Sequence, residues 1–146
     1  MLYMPLLWPQ SSNERLTVGQ PGKVVGKRNE TVQTKIPVSI LAGYHVNSNT
    51  PSDEYLIPLT VAWTSLGALE GGQLTFPKPS MEKYEFSDKP LSVFTGHIEL
   101  SASFKVSAKA AGGPGIASGK LRYQACNSNT CFPPKTIEIS VPYQVQ

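Results

Sequence analysis

The stretch "YQACNSNTCFPP", residues 123 to 134, holds Cys126 and Cys131, the two cysteines of this 146-residue chain, with four residues between them. A thiol pair at that spacing has two chemical uses. It can close a small structural disulfide, or it can cycle between dithiol and disulfide against another protein. As a staple it contributes little, because a ring of about six residues removes only about 2 kcal/mol of unfolded-chain entropy. A chain of this length can bury a core without such help, and a stapling bridge gains more by joining distant strands. As a redox couple the pair needs access as much as a low thiol pKa, since exchange runs by thiolate attack through a mixed disulfide. The spacing by itself leaves both uses open.

Other candidate chemistry fails on its own terms. His45 and His97 lie far apart in the chain and lack the paired spacing that joins histidines and cysteines at a zinc ion. Neither has a recognisable serine or aspartate companion for a hydrolase triad. "GGPGIASGK" resembles a phosphate loop only superficially: Pro114 stands where the first glycine is needed, and Leu121 where serine or threonine should follow the lysine. It reads as a hairpin loop between strands. The glycosylation sequon at Asn29 is too short a match to carry weight. Lysine and arginine exceed aspartate and glutamate by 13 to 10, a net charge of +3 without a basic run, which argues against nucleic acid as a partner. No apolar run reaches the ~18 residues needed to span a bilayer as a helix. The opening "MLYMPLLWPQ" is apolar but lacks a basic leader and a small-residue cleavage site. Residues 1–19 are therefore expected to be an export-signal remnant or an additional strand, with the domain proper over 20–146. No metal and no cofactor is expected; two sulfurs carry the electrons themselves.

Strands must position the pair. Val32, Ile36, Val38 and Ile40 alternate with polar neighbours, as do Ile98, Leu100, Ala102, Phe104, Val106 and Ala108, and again Ile137, Ile139 and Val141. Ile57, Leu59, Val61 and Trp63 follow the same rule less cleanly. A period of two predicts half-buried strands. Pro37 and Pro58 inside such runs predict edge strands or bulges. With 13 prolines and 12 glycines punctuating the chain, and "EGG" and "AGGPGIASG" among the expected turns, the pattern predicts a single all-β domain, an immunoglobulin-like antiparallel β-sandwich. "KLRYQAC" and "TIEISV" read as successive strands, so the cysteines fall at the tip between them. Pro133 and Pro134 stiffen the exit, and Tyr123 and Phe132 are expected to wall the site.

"YQACNSNTCFPP" resembles the active-site segment of the N-terminal domain of the thiol:disulfide interchange protein DsbD. "LAGYHVNSNTPSDEYLIPLTV" is similar to that family's upstream signature, and "FPKPSMEKYEFSDKPLSVFTG" to its middle section, so the resemblance runs from about residue 20 to the end. It implies an immunoglobulin-like domain outside the bacterial cytoplasm, in the periplasm. Such a domain would pass electrons from a membrane donor domain, through a thioredoxin-like module, to partner disulfide proteins. It further implies that Cys131 attacks the partner and Cys126 resolves the mixed disulfide. A cap loop with an aromatic tip would shield the sulfurs, with Phe86 the best match and Tyr84 next, and Tyr44 would lie beside the site. Two departures accompany the resemblance. Some members have five residues between the cysteines, and the family's membrane and C-terminal thioredoxin-like portions are not within these 146 residues. The chain is thus either a piece of a longer protein or a stand-alone version. The rival expectation is a non-catalytic binding or adaptor module whose disulfide pins a hairpin.

Overall fold

The computed structural model describes residues 11–13 and 15–146. The apolar segment 1–10 lies outside them. The described residues form thirteen strands: β1 (Ser11–Asn13), β2 (Leu16–Val18), β3 (Val24–Gly26), β4 (Thr31–Ile40), β5 (His45–Asn47), β6 (Thr60–Ser65), β7 (Leu69–Thr75), β8 (Ser80–Glu82), β9 (Leu91–Phe94), β10 (His97–Val106), β11 (Gly113–Tyr123), β12 (Ala125–Cys126) and β13 (Lys135–Val145). No helix among them is long and apolar enough to cross a membrane.

The strands form three sheets, in the orders β1-β2-β4-β10-β7, β3-β13-β11-β6 and β12-β5-β9-β8. Pairing is antiparallel except between β3 and β13. The first two sheets supply one apolar core, in which Ile36, Val38, Leu100, Phe104, Leu121, Ile139 and Val141 are fully buried. This is a β-sandwich of the immunoglobulin-like kind, and its long strands keep the expected alternation. Ala108 departs from it, lying exposed in the turn after β10. The third sheet is small, and it is the one that carries the cysteines.

Three local expectations are corrected. Pro37 sits in β4, an interior strand between β2 and β10, not an edge. Its carbonyl accepts from Gly19 N at 2.9 Å, just past the end of β2, and the N–H that proline lacks leaves only the return bond of that last pair unmade. Pro58 precedes β6, which is, as expected for that run, an edge strand, and its pairing with β11 shifts register. The "AGGPGIASG" region is not a loop, since residues from Gly113 onward are strand β11, paired with β13 and β6. Its glycines answer to aromatic neighbours: a Cβ on Gly115 would collide with the Tyr143 ring, and one on Gly119 would come within 2.8 Å of Trp63. Likewise "EGG" lies inside β7, where the pairing with β10 shifts register.

That crowding yields a test of the fold remote from the cysteines. Gly115→Ala forces the Tyr143 ring aside and should cost about 1–3 kcal/mol, the usual range for overpacking. It should appear as a lower urea midpoint, with thiol reactivity at Cys126 and Cys131 unchanged.

Candidate functional site

The site begins with a change of sheet. β11 ends at Tyr123, Gln124 pairs with neither sheet, and β12 then joins β5, setting Ala125 opposite Val46 and Cys126 opposite His45. Residues 127–130 turn the chain back. Asn127 drives the turn: its Oδ1 accepts from Asn129 N at 2.9 Å and Thr130 N at 2.8 Å, and its own N donates to Thr130 O at 2.9 Å. This is the side-chain mimicry of a backbone turn at which asparagine excels. Cys131 thereby faces Cys126 in an isolated antiparallel bridge, and the two form a disulfide with Cα atoms 3.9 Å apart. The exit is anchored by Phe132 N donating to Ala125 O at 2.9 Å. The two cysteines are unequal in exposure, for Cys126 is fully buried and Cys131 is half-buried.

Gln124 offsets the cost of leaving the ladder. Its Oε1 accepts from Asn47 Nδ2 at 2.9 Å and from Ile57 N at 3.1 Å, while its Nε2 donates to Phe132 O at 3.4 Å. Asn47 Nδ2 also donates to Ile57 O at 3.0 Å. One amide therefore ties the entry strand, β5, the 48–59 loop and the hairpin exit together, in surroundings where an unmade bond would cost about 1–3 kcal/mol.

Aromatic side chains surround the hairpin. Tyr44 and Phe132 stand 6.0 Å apart, and the Arg15 guanidinium lies 3.9 Å from the Phe132 ring centre and 5.5 Å from that of Tyr44. Such cation–π contacts are each worth about 0.5–2 kcal/mol. On the opposite flank, Tyr84 stacks on His45 at 3.9 Å and 13°. Phe86 continues the group, 5.8 Å from Tyr84 and 6.2 Å from His45. Both belong to the loop between β8 and β9 and pack on a small cluster of Leu56, Leu91 and Val93. That loop is also pinned by an ion pair between Lys89 and Asp53 at 2.7 Å. Tyr123, expected as a wall of the site, lies in the main core at 1% exposure. The stack on the histidine opposite Cys126 is made by Tyr84, with Phe86 behind it.

Four contributors were not legible as site residues: Arg15, His45, Asn47 and Gln124. His45 is 2% exposed and its Nε2 has no hydrogen-bond partner among the described residues. Burial lowers its pKa to about 4, so it is neutral at physiological pH. Burial, and then the Glu82 carboxylate, push the Tyr84 phenol up, keeping it protonated. A cleft of about 730 Å³ opens beside these residues, lined by Arg15, Tyr44, His45, Tyr84, His97 and Ser128 among others. Among the described residues no group of three histidine, cysteine or acidic side chains is placed to hold a metal ion.

Comparison with known proteins meets this geometry directly. The family model for the N-terminal part of the thiol:disulfide interchange protein DsbD matches residues 13–142. The structure is similar to the N-terminal periplasmic domain of ScsB from Proteus mirabilis, with a TM-score of 0.64 at 16% identity, covering 93% of this chain and 49% of that one. The present chain thus spans about half the length of that relative. It is also similar to the Neisseria meningitidis DsbD N-terminal domain in its reduced form, with a TM-score of 0.50 at 22% identity, covering 77% of this chain and 82% of that one. Among curated proteins no sequence matches.

The buried histidine makes stability depend on pH. Its folded pKa lies below the 6.5 of an ordinary histidine. The unfolded chain therefore takes up a proton first as pH falls. The stability contributed by the neutral ring is complete above about 6.5, is lost between about 6.5 and 4, and changes no further below that. The loss amounts to at most about 3 kcal/mol. Urea unfolding at pH 7 and pH 4.5 should show a steeper decline in the wild type than in His45→Phe, which has nothing to protonate.

Proposed function

This chain belongs to the family of N-terminal domains of the thiol:disulfide interchange protein DsbD, and from that premise we propose that it passes two electrons to partner proteins through Cys126 and Cys131. The observation that carries the reading is the pair itself: a short-range disulfide at a hairpin tip, one cysteine buried and the other half-buried. A bridge serving only stability would have no reason to present one cysteine to solvent, and this one closes too short a ring to stabilise much.

In the reduced domain the Cys131 thiolate attacks a partner disulfide. A bond forms between Cys131 and one partner sulfur while the partner's own S–S bond breaks. The departing sulfur leaves with the electron pair and takes up a proton. Cys126 then loses its proton and attacks Cys131, the Cys126–Cys131 bond forms, and the second partner sulfur leaves as a thiol. The partner ends reduced and the domain oxidised, with no cofactor in either step. A thioredoxin-like module, fed by a membrane donor domain, runs the same sequence in reverse to recharge the pair. The half-buried position of Cys131 supports it as the attacking sulfur, and full enclosure of Cys126 suits a thiol that reacts only within the molecule.

The loop bearing Tyr84 and Phe86 acts as the shield. Its two rings rest on His45 and on a small apolar cluster rather than in the main core, so a docking partner can displace it without opening the sandwich. Tyr44 and Phe132, held by Arg15, form the other wall. The domain works in the periplasm, the compartment of the ScsB relative, where thiol pairs meet an oxidising environment.

Single substitutions test the assignment of the sulfurs. Cys126→Ser, incubated reduced with a disulfide-bonded thioredoxin-like protein, should accumulate a mixed disulfide on a non-reducing gel, because the resolving thiol is missing. Cys131→Ser should trap little. The reverse pattern would exchange the two roles, and no trapping by either variant would leave a structural bridge.

A further inference from the structure

His45 occupies a position that neither packing nor pairing fully explains. It is directly opposite Cys126 in the β5–β12 ladder, and opposed residues on antiparallel strands share a face, with Cβ atoms about 4.5–5.5 Å apart. Both residues are shut off from water. The ring nitrogen Nε2 is buried without a partner among the described residues while the disulfide is closed, a state that buried polar groups rarely tolerate without a reason. A closed disulfide offers no strong acceptor. An open one produces, at Cys126, a thiolate in an enclosed site directly opposite this ring.

Resting on the exchange reading above, we infer that His45 is the residue that makes Cys126 able to resolve: its neutral imidazole donates an N–H to the Cys126 sulfur as that sulfur gains negative charge. A neutral ring suits this task better than a charged one, because the donor is then available across the whole physiological pH range and needs no carboxylate to hold a proton on it. The surroundings agree. The titratable and charged side chains around His45 are Cys126 across the ladder, Tyr84 against its ring with the Glu82 carboxylate acting on that phenol, and Arg15, Tyr44 and His97 along the shared cleft; among the described residues no carboxylate lines that cleft or pairs with the ring. The low pKa produced by burial also makes the ring a poor proton acceptor, which separates this role from that of a general base. Cys126 gives up its proton, the thiolate is held by the imidazole N–H, and attack on Cys131 forms the intramolecular S–S bond as the partner sulfur leaves with its electron pair and takes up a proton. A hydrogen bond to the charged form favours it, and a donor placed in advance where charge will develop costs no reorganisation when it does.

The test uses the reduced protein and the aromatic disulfide 5,5′-dithiobis(2-nitrobenzoate), whose released thiolate is coloured. Wild type should release one equivalent when Cys131 is attacked and a second when Cys126 resolves the adduct. A wild type that never releases the second equivalent would remove the exchange function itself and this inference with it. Given two phases, His45→Phe keeps a ring against Tyr84 but has no N–H. It should leave the first phase unchanged and slow the second by about tenfold, the effect of raising the Cys126 pKa by one. His45→Gln, which restores an N–H without the ring, should recover most of the second phase. A second phase at the wild-type rate in His45→Phe overturns the proposal. So does a His45→Gln variant as slow as His45→Phe, because ring packing would then be the cause. If neither variant folds, the 15N spectrum of the wild-type imidazole decides: the Nε2 signal should shift on reduction if it gains a sulfur acceptor, and an unchanged signal contradicts it.

Discussion

The reactive end of this molecule depends on one backbone constraint, the departure of the chain from its sheet at Gln124. Residues up to Tyr123 are locked into an eleven-residue strand of the main sandwich, whose interior is no place for exchange chemistry. Two residues later the chain is pairing with β5 in a different sheet. The transition leaves backbone groups that the ladder no longer satisfies, and the Gln124 amide, with Asn47, meets those of Ile57 and Phe132. The consequence is a rigid offset. The sandwich supplies stability, while a small sheet of short strands supplies a place where two sulfurs meet at a surface.

From that offset follows the asymmetry between the cysteines. Cys126 comes directly off the switch and stays enclosed, whereas Cys131 comes after the Asn127 turn and emerges. In the proposed exchange this difference in exposure sets the order, with Cys131 meeting the partner first. The same small sheet keeps the loop proposed as a shield separate from the core: Tyr84 and Phe86 rest on Leu56, Leu91 and Val93, not on the main apolar cluster. Stability and access can then vary independently, which a protein that must open repeatedly requires.

The sandwich was legible because long strands with one buried face leave a period of two in the chain, as in 31–40 and 135–145. The cysteine hairpin was legible too, since its chemistry and its prolines are local. The rest depends on contacts that composition does not encode. β11 reads as a loop because its glycines make room for Tyr143 and Trp63, residues from other strands. β5, β9 and β12 are too short to show any period. His45 looks like a solitary histidine because what defines it, the Tyr84 stack and the Cys126 opposition, comes from distant segments. Gln124 carries no signal beyond its type. The fold's repeating parts could be read from the sequence, and the parts that make the site work required the register.

Equilibrium with a glutathione redox buffer tests the central claim, that Cys126 and Cys131 form an exchanging couple and not a staple, most directly. An exchanging pair should have a reduction potential above about −300 mV, within reach of partner thiols. A potential well below that value, with the bridge intact throughout the buffer range, would mark a structural disulfide and contradict the account.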